Sequence, residues 1–586
     1  MDTHEIKGSV LAVDINNKTT KAVLFKRVNG GFEVAGVGDA STTLEAPELD
    51  VTAGVLEAVK LIQEKTGETL TQADRLVSSV PLICSSSASG LHMVVAGVMR
   101  NISAESAQRA ALGAGALLMD RFSVDDNRPP YIKVSALRSL KPDILLLAGG
   151  TDGGAVNQVL EMASIIKDSD VKPRFGDEYQ LPLIYAGNVE ISDRVAEILD
   201  EKTYATEVVE NVRPVIDREN LGPAREGIYD AYMEHVIIHS PGYDKLRGWT
   251  RGRIMPSQAT TGKIIYAYAQ RRAVNLLAVD VGGETTDVYS VYNSVFNRSL
   301  NAGVGLTYGI GNVVKEAGVS NVQRWLPQTM DERTLRNEVG NMLVHQPLSL
   351  TKTQKAIQAA VAREAIRLGV EQHKEIASRL KGVHLDRNLS DLFNQALEPT
   401  YINMMKTQVV IGKGSVFGEH GYEQSAMILL DALQPEGFTE LFVDDSSIMA
   451  HLGGLHDVDR DAAVDLFVKK CIRCIGTCVA PRGVLHEGEE ALKLVFSDQH
   501  GEKLHHTVMF GDIKILPIGE NDSIELTVQP LKLDVGAGRG KPVTRMVGGG
   551  ALGIMVDARG RPLQYTNRQV DLISVEPQLA SAMEES

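Results

Sequence analysis

Cysteine is scarce in this chain, with four in 586 residues, and tryptophan occurs only twice. So few cysteines in so long a chain exclude a disulfide framework, which favours a reducing compartment. No apolar run approaches the ~20 residues that a membrane helix needs, and the first residues lack the basic and apolar regions of a signal peptide. We therefore expect a cytoplasmic protein that does not enter a membrane.

Excess positive charge is also missing, since 75 acidic side chains outnumber 60 basic ones and the formal net charge is −15. Nucleic-acid binding needs clustered cations that displace phosphate counterions, so a dedicated nucleic-acid binder is not expected. The 43% hydrophobic and 23% charged fractions exclude wholesale disorder. At roughly 100–200 residues per domain, the length predicts about three or four domains.

Glycine, in contrast, is plentiful, and several of the 54 glycines follow short apolar runs. Such runs begin at Val10, Ile144, Leu276 and Val409. Short runs that are apolar at consecutive positions are typical of strands buried on both faces of a sheet. The pattern predicts an α/β fold.

Other segments carry helix and strand periodicity. Residues 103–120 and 352–380 repeat apolar side chains with a period near 3.6, which predicts two helices. From about 484 to 570, alternation of apolar and polar residues between glycine-rich turns predicts a β-rich C-terminal domain.

Two segments follow one plan: VLAVDINNKTTKAVLF around Asp14 and LLAVDVGGETTDVYSV around Asp280. Each has a strand, an Asp, a short polar loop, paired threonines and a second strand. A glycine turn follows each hairpin at a similar distance along the chain, at Gly149 and at Gly412. Repetition of this kind indicates an internal duplication.

The second hairpin has the residue types that bind phosphate. Gly282 and Gly283 let the backbone approach an anion closely, and Thr285 and Thr286 offer hydroxyl donors. Asp280, at the end of its strand, is suited to holding a hydrated Mg²⁺ between carboxylate and phosphate oxygens. Two such hairpins facing one another across a cleft would clamp a nucleoside triphosphate, with the late glycine turn beneath its adenosine.

The alternative is that each hairpin is only a tight turn, where Asp, Gly, Asn and Thr are expected anyway. Either hairpin alone fits both interpretations equally well. Two in register with a further glycine turn favour the nucleotide site. The sequence contains no GxxxxGK[ST], which disfavours P-loop chemistry.

Further stretches carry a specific resemblance: CSSSASGL at 84–91, AALGAGA at 110–116, LAGGTDGG at 147–154, GRGKP at 538–542 and DARGRP at 557–562. Together with LAVDVGGETTDV and the VIGKG turn, they extend over nearly the whole chain. The chain resembles the MutL family, accessory proteins of adenosylcobalamin-dependent glutamate (methylaspartate) mutase, within the actin/Hsp70/sugar-kinase superfamily.

The resemblance implies a fold and a function. It implies two duplicated actin-like (RNase H-like) lobes with an interlobe nucleotide cleft, at 1–275 and 276–470, and a β-rich domain at 471–586. It implies an ATP-binding chaperone or reactivating factor that couples nucleotide state to lobe movement. Such a protein is an accessory ATPase and not itself the mutase, its partner is an adenosylcobalamin-dependent mutase, and a homo-oligomer is compatible with this role.

The resemblance also implies the site residues for ATP and Mg²⁺. Asp14 and Asp280 would be the catalytic residues and would position Mg²⁺ through water. The nucleotide-binding residues would be Asn16, Asn17, Lys18, Thr20, Gly282, Gly283, Thr285, Thr286, Asp287, Gly412 and Gly414.

Two turns depart from the family pattern, which at the first hairpin reads Asp-x-Gly-Ser-Thr-x-Thr-Lys. There Asn16 replaces the glycine, and Asn17 and Lys18 replace the hydroxyl pair. Asn tolerates positive φ, so the turn itself can survive, and Lys18 points either to a phosphate or into solvent. Near the adenosine turn, Ser415 stands where a third glycine is usual. A scaffold with slow or lost hydrolysis is therefore one form of the hypothesis.

Other interpretations stay open. A small-molecule kinase on the same fold and an actin-like filament protein are the two alternative functions. Cys471, Cys474 and Cys478 are spaced for a metal site, although the apolar run around them favours structural cysteines. A basic cluster that includes Arg559 and Arg561 is either a solvated loop or a surface for an anionic partner.

Overall fold

The structure is a computed structural model that describes residues 8–564 except 78, 88–90, 200, 327–329, 346–348, 379, 381–399, 420 and 498–502. Residues 88–90 of the CSSSASGL stretch and the last 22 residues of the proposed C-terminal domain thus lie outside the described residues. Among the helices described, none has the length and apolarity to span a membrane.

The chain forms two compact units. Unit 1 comprises Met1–Ala267, Arg379–Pro399 and Ile448–Phe467, and unit 2 comprises Tyr268–Ser378, Thr400–Ser447 and Val468–Ser586.

Unit 1 is a mixed α/β unit. Its strands are β1 (Val10–Ile15), β2 (Thr19–Val28), β3 (Gly31–Ser41), β4 (Thr71–Gln72), β5 (Arg75–Leu76), β6 (Leu82–Ser86), β7 (His92–Gly97), β8 (Leu117–Ser123), β9 (Ile144–Leu147), β10 (Leu181–Tyr185), β11 (Tyr204–Val208) and β12 (Met255–Pro256). Its helices are α1 (Val51–Thr66), α2 (Ser103–Gly113), α3 (Pro130–Leu140), α4 (Asn157–Ser169), α5 (Ser192–Ile198), α6 (Gly222–Ala231), α7 (Tyr243–Trp249) and α8 (Ser257–Arg272), whose last residues belong to unit 2. Two later helices, α15 (Met449–Leu455) and α16 (Arg460–Leu466), complete it.

The first hairpin lies in a five-stranded sheet of unit 1. Strand order is β12-β6-β1-β2-β3, with β1 and β2 antiparallel, β2 and β3 antiparallel, and β1, β6 and β12 parallel. All six residues of β1 are buried, as the apolar run predicts. The parallel register places Asp14 beside Ser85 of β6.

A second sheet is inserted between β6 and β12. Its order is β11-β10-β9-β7-β8 and all neighbours are parallel. Counted from β7, this is the 2-1-3-4-5 order of a doubly wound open sheet. Because β9 belongs to this inserted sheet, the prediction that the glycine turn at Gly149 matches the turn at Gly412 is wrong. In unit 2, β16 (Val409–Lys413) pairs with β13 (Leu276–Val281). The strand in the corresponding place beside β1 in unit 1 is β6.

Unit 2 contains the second hairpin and the C-terminal strands. The remaining strands are β14 (Thr285–Tyr292), β15 (Val295–Ala302), β17 (Gly437–Asp444), β18 (Ile472–Ala480), β19 (Glu490–Ser497), β20 (Lys503–Met509), β21 (Ile513–Leu516), β22 (Ser523–Pro530), β23 (Val543–Gly548) and β24 (Ile554–Asp557). The helices are α9 (Ile310–Ala317), α10 (Val319–Gln323), α11 (Glu332–His345), α12 (Lys352–Ile376), α13 (Ser415–Glu419) and α14 (Gly421–Leu433).

The main sheet of unit 2 has the order β15-β14-β13-β16-β17-β18-β24-β21. Its first five strands repeat the order and directions of the five-stranded sheet of unit 1. The predicted α/β fold with two duplicated actin-like lobes is thereby confirmed. The C-terminal strands β18, β24 and β21 extend this sheet, while β20-β19-β22-β23 form a separate antiparallel sheet. The β-rich character of the C-terminal segment is confirmed, and the division into three domains stays a prediction.

The two predicted helices are present with different ends. The helix α12 begins at a capping box in which Thr351 and Gln354 satisfy each other's backbone amides, and it ends at Ile376. The helix α2 ends at Gly113, so the prediction that it continues to residue 120 is wrong. Gly115 adopts φ +93°, a conformation that stops a helix, and the next residues form β8.

Two arginines of the basic cluster are not at the surface. Arg559 and Arg561 are 9% and 1% exposed and both donate to the buried carboxylate of Asp557, at 2.8 and 2.7 Å. Arg559 also donates to Asp431 at 2.8 Å. For these two residues, both interpretations of the cluster, a solvated loop and a partner surface, are wrong. The DARGRP stretch instead connects the end of β24 to Asp431 of α14 through buried ion pairs.

Candidate functional site

The second hairpin closes as a tight turn between β13 and β14. The amide of Gly282 donates to the carbonyl of Thr285 at 2.9 Å. Neither Gly282 nor Gly283 has a positive φ, so the backbone conformation does not require glycine there. Glycine matters at 283 for its small size, because a Cβ there would lie 3.1 Å from the hydroxyl oxygen of Thr307.

A loop that sequence reasoning missed, GVGLTYG at 303–309, packs on this turn. The amides of Leu306 and Thr307 donate to the carbonyls of Gly282 and Gly283 at 3.0 and 2.8 Å. A Cβ on Gly305 would lie 2.5 Å from the amide nitrogen of Glu284, so the close approach needs glycine. Three glycines in seven residues after a strand were the available sequence signal.

The amides at the tip of the hairpin remain available. Those of Gly283 and Glu284 have no acceptor in the part of the chain that the structure describes, and both residues are exposed. Consecutive amides that face solvent can bind an anion. The loop 303–309 uses the carbonyl groups of the turn and so leaves donors at its tip.

The three side chains that follow have different surroundings. Thr285 is half-buried, whereas Thr286 is fully buried and donates its hydroxyl to the carbonyl of Val304 at 2.8 Å. Asp287 is buried against Arg298, with 2.9 Å from Nε to the carboxylate. Burial raises the pKa of Asp287, while Arg298 acts in the opposite direction. Thr286 and Asp287 therefore hold the hairpin, and Thr285 is the one with a hydroxyl near solvent.

Asp280 is paired with a cation that sequence reasoning also missed. Lys413 lies beside Asp280 in the parallel register of β13 and β16, and its ammonium contacts the carboxylate. The side chains of Lys413 and Asp280 are 27% and 18% exposed, so the pair is half-buried and keeps some contact with solvent. Burial opposes the charge of Lys413, but Asp280 holds its pKa above the ordinary value.

A second carboxylate, Asp444 at the end of β17, interacts electrostatically with Lys413. One oxygen of Asp444 accepts the amides of Ser446 and Ser447 at 3.2 and 2.8 Å. Its other oxygen is buried and has no hydrogen-bond partner among the described residues. Burial raises the pKa of Asp444, and Lys413 counteracts part of that effect.

The predicted glycine turn follows β16. Gly412 lies under a ring, since a Cβ there would be 2.9 Å from Phe417. Gly414 has φ +122°, and a Cβ there would lie 2.3 Å from the carbonyl oxygen of Val281. The turn thus depends on glycine for both its conformation and its contact with β13. Gly418, four residues on, has no atom within 4 Å of the position of a Cβ.

The first hairpin makes the same turn in unit 1. The amide of Asn16 donates to the carbonyl of Thr19 at 2.9 Å, as Gly282 does to Thr285. Asn16 and Asn17 have no positive φ, so the turn forms without the conformation that was expected to rescue it. Asn16 and Asn17, which stand where the second hairpin has Gly282 and Gly283, therefore leave the turn hydrogen bond unchanged.

The side chains around the first hairpin differ from those of the second. Asp14 is 7% exposed and accepts hydroxyl hydrogen bonds from Ser85 and Ser257 at 2.6 and 2.5 Å. Asn16 donates to its other oxygen at 3.2 Å. Lys18 is exposed at the loop. A neutral serine thus occupies the register position beside Asp14 that a lysine occupies beside Asp280.

The buried threonine of the first hairpin, Thr20, shares a hydrogen bond of 2.9 Å with the hydroxyl of Thr42. Thr42 also donates to the carbonyl of Asn16 at 2.7 Å. Thr20 therefore holds the hairpin from inside, as Thr286 does in the second one. The exposed residues of the first loop are Asn17, Lys18 and Thr19.

The carboxylates of the two hairpins are already engaged by other side chains of the protein. Those of Asp14 accept hydroxyl and amide donors, and Asp280 is bound to Lys413. Within the described ranges there is no group of three His, Cys, Asp or Glu side chains that could hold a metal ion. These contacts disfavour direct coordination of a metal by either Asp, and Mg²⁺ held through water stays a prediction.

The cysteines of the C-x₂-C-x₃-C run are mostly buried along β18. Cys471 and Cys478 are buried and Cys474 is partly exposed. Burial raises the pKa of Cys478 to about 12 and that of Cys474 to about 11. Cys474 and Cys478 are therefore protonated thiols at neutral pH, which agrees with a structural role.

Comparison with known proteins gives a relative and two structures. Protein MutL of Clostridium tetanomorphum is 27% identical over 496 residues, covering 79% of this chain and 99% of that protein. Nucleotide-free acetone carboxylase has a TM-score of 0.33 at 11% identity, covering 86% of this chain and 81% of that one. The (R)-2-hydroxyglutaryl-CoA dehydratase component A of Acidaminococcus fermentans has a TM-score of 0.28 at 10% identity, covering 78% and 100%.

At these TM-scores the two structural likenesses carry no argument about function. The match to a protein family is of another kind, because the model of the MutL protein family aligns with residues 10–471, most of the chain. That range contains both hairpins, the inserted parallel sheet and the glycine turn at Gly414. The chain belongs to the MutL family.

Proposed function

We propose that this chain is an ATP-binding accessory protein that reactivates an adenosylcobalamin-dependent mutase of the glutamate-mutase type, or helps to load its cofactor. Membership of the MutL family over residues 10–471 carries the proposal. The two hairpins with one shared turn geometry support it, because duplicated Asp hairpins on sheets of equal strand order are the phosphate-binding elements that the resemblance implies.

In this proposal, the tip of the second hairpin binds phosphate. The exposed amides of Gly283 and Glu284 would donate to phosphate oxygens, and Thr285 would add its hydroxyl. Gly282, Thr286 and Asp287 would act by holding the turn. Phosphate oxygens bound by backbone amides need no large positive surface, which agrees with an acidic chain.

The proposal gives the other turns supporting roles. Gly412 and Gly414 would support the adenosine, because they shape the turn at the end of β16. In unit 1, Asn16, Asn17 and Lys18 would line the first hairpin in place of the usual hydroxyl pair, with Thr20 and Asp14 behind them. Loss of those hydroxyls is expected to make hydrolysis slow.

Nucleotide state would then act as a conformational signal. A nucleotide can shift a protein between two states only by as much as its affinity for them differs. We propose that the ATP-bound chain has the higher affinity for a mutase that carries damaged cobalamin, and that exchange of the nucleotide releases the repaired enzyme. ATP would be hydrolysed slowly in each cycle, with water as the acceptor of the phosphoryl group and no acceptor substrate.

The experiment uses a glutamate mutase inactivated with hydroxocobalamin. The full chain, ATP and free adenosylcobalamin are added, and the release of damaged cobalamin is followed by absorbance together with the recovery of mutase activity. The expected result is ATP-dependent recovery with the wild-type chain and little without ATP. Recovery that does not depend on ATP, or no recovery with a mutase from the same cells, contradicts the proposal.

Two variants and a matched control locate the effect. Gly414→Ala introduces a clash with Val281 and should abolish recovery, while Gly418→Ala, in open space, should leave it unchanged. Thr285→Val keeps the β-branched shape that a strand accepts but lacks the hydroxyl, so it should weaken ATP binding without unfolding the chain. Release of ADP that requires a small-molecule acceptor would indicate a kinase, and ATP-dependent light scattering would indicate a filament.

A further inference from the structure

The pairing of Asp280 with Lys413 changes what the second hairpin can do. The strands β13 and β16 are adjacent and parallel, and their register fixes the two residues side by side. The ammonium group contacts the carboxylate, and both side chains retain some exposure to solvent. A positive charge therefore occupies the place at which a hydrated Mg²⁺ would meet this carboxylate.

A second carboxylate also interacts with the ammonium group of Lys413. The carboxylate of Asp444, on the next strand, interacts with the same ammonium, and one of its oxygens is buried without a partner among the described residues. One ammonium thus serves two carboxylates. Loss of the lysine would remove the positive charge that both carboxylates face, and carboxylate oxygens freed in this way can attract a divalent cation.

The first hairpin serves as an internal comparison. At the register position that corresponds to Lys413, unit 1 has Ser85, whose hydroxyl donates to Asp14 at 2.6 Å. A neutral donor there leaves the negative charge of Asp14 in place, whereas Lys413 neutralises Asp280. The duplicated sheets therefore keep the Asp but differ in the charge beside it.

We propose that Lys413 is the resident cation of the second hairpin and takes the place of Mg²⁺ there, so that unit 2 binds nucleotide phosphates without a divalent cation at Asp280. The statement about the nucleotide rests on the proposed function, while the statement about the cation does not. Lysine is a suitable residue because its compact ammonium binds phosphate as a point charge.

The first arm of the test measures the affinity of the full chain for ATP by calorimetry, in excess Mg²⁺ and in excess EDTA. For the wild type, we expect the two dissociation constants to agree within about threefold, since no metal is needed at Asp280. Lys413→Met, of similar length but uncharged, should lose roughly tenfold or more in EDTA and recover in Mg²⁺. Lys413→Arg should keep EDTA-resistant binding, and Lys315→Met, an exposed lysine of α9, should behave as wild type.

The second arm needs no nucleotide. Binding of Mn²⁺ alone is followed by electron paramagnetic resonance. The wild type should show no tight site, Lys413→Met should gain one, and Lys413→Met with Asp280→Asn should lose it again. A wild-type chain that loses ATP in EDTA, or that binds Mn²⁺ as tightly as Lys413→Met, overturns the proposal. If the wild type binds no ATP under any condition, the proposed function fails and the Mn²⁺ comparison alone decides the role of Lys413.

Discussion

Asp557 is the residue whose replacement should destabilise unit 2 most specifically. Its carboxylate is fully buried and accepts from Arg559 at 2.8 Å and from Arg561 at 2.7 Å. Burial acts against its charge, but the two arginines hold its pKa well below the usual range. Asp557→Asn keeps the shape of the side chain. Among the described residues it leaves Arg559 with Asp431 as its remaining carboxylate contact, and Arg561 with carbonyl contacts alone.

The expected magnitude follows from the surroundings. Breaking a buried ion pair by removing one partner costs about 3–5 kcal/mol, because the other charge stays buried without compensation. The matched control is Asp512→Asn, at an exposed residue directly before β21, for which a change within about 0.5 kcal/mol is expected. The loss of stability in Asp557→Asn also depends on pH. A depressed carboxylate pKa stabilises the fold above the unfolded value near 3.9, so the difference between wild type and Asp557→Asn should shrink as pH falls below about 4.

The assay uses the two tryptophans, because Trp249 lies in unit 1 and Trp325 in unit 2. In a Trp249→Phe background, fluorescence during urea unfolding reports on unit 2 by itself. This separation matters since a protein of two units does not unfold in one step. If Asp557→Asn shifts the Trp325 transition no more than Asp512→Asn does, the arginines do not depend on this carboxylate and the reasoning is refuted.

Three further predictions concern other buried groups. The ring of His373 is buried between Ser290 and Ser299, at 2.8 Å from each hydroxyl, and burial lowers its pKa to about 3. Because the unfolded chain binds a proton there below pH 6.5, the free energy of unfolding of unit 2 should fall by up to about 1.4 kcal/mol per pH unit below that value. His373→Asn should remove this slope in urea titrations at several pH values. Gly453→Ala would place a Cβ 1.9 Å from the carbonyl oxygen of Thr260 and should lower the melting temperature of unit 1. The control is Gly248→Ala in α7, where a Cβ would meet no atom within 4 Å, and this change should raise the free energy of unfolding by up to about 1 kcal/mol. Maleimide labelling of the native chain followed by peptide mapping should modify Cys474 before the three buried cysteines, and equal labelling of all four would contradict the burial described.

The sequence was informative where a signal is local. The strands beginning at Val10, Ile144, Leu276 and Val409 follow from runs of consecutive apolar residues, because burial on both faces leaves that mark on the chain itself. The two hairpins were equally visible, since an Asp, a polar loop and paired threonines lie within a few residues of one another. Local turn chemistry thus identified the candidate site.

The rest depends on partners that are distant along the chain. The strand before Gly149, β9, looked like a counterpart of β16. It belongs instead to the sheet inserted between β6 and β12, and β6 is the strand that pairs with β1. Arg559 looked solvated because its partner Asp431 lies more than a hundred residues earlier. Lys413 stands within the VIGKG turn, yet only the parallel register places it beside Asp280.

The most direct test of the central claim is hydrogen–deuterium exchange of the full chain with and without ATP. The account predicts slower exchange with ATP in peptides that cover the second hairpin, residues 280–290, and the glycine turn, residues 409–418. Peptides of the separate antiparallel sheet, such as 543–548, should not change. No protection at the hairpin, or protection confined to the antiparallel sheet, would contradict the account.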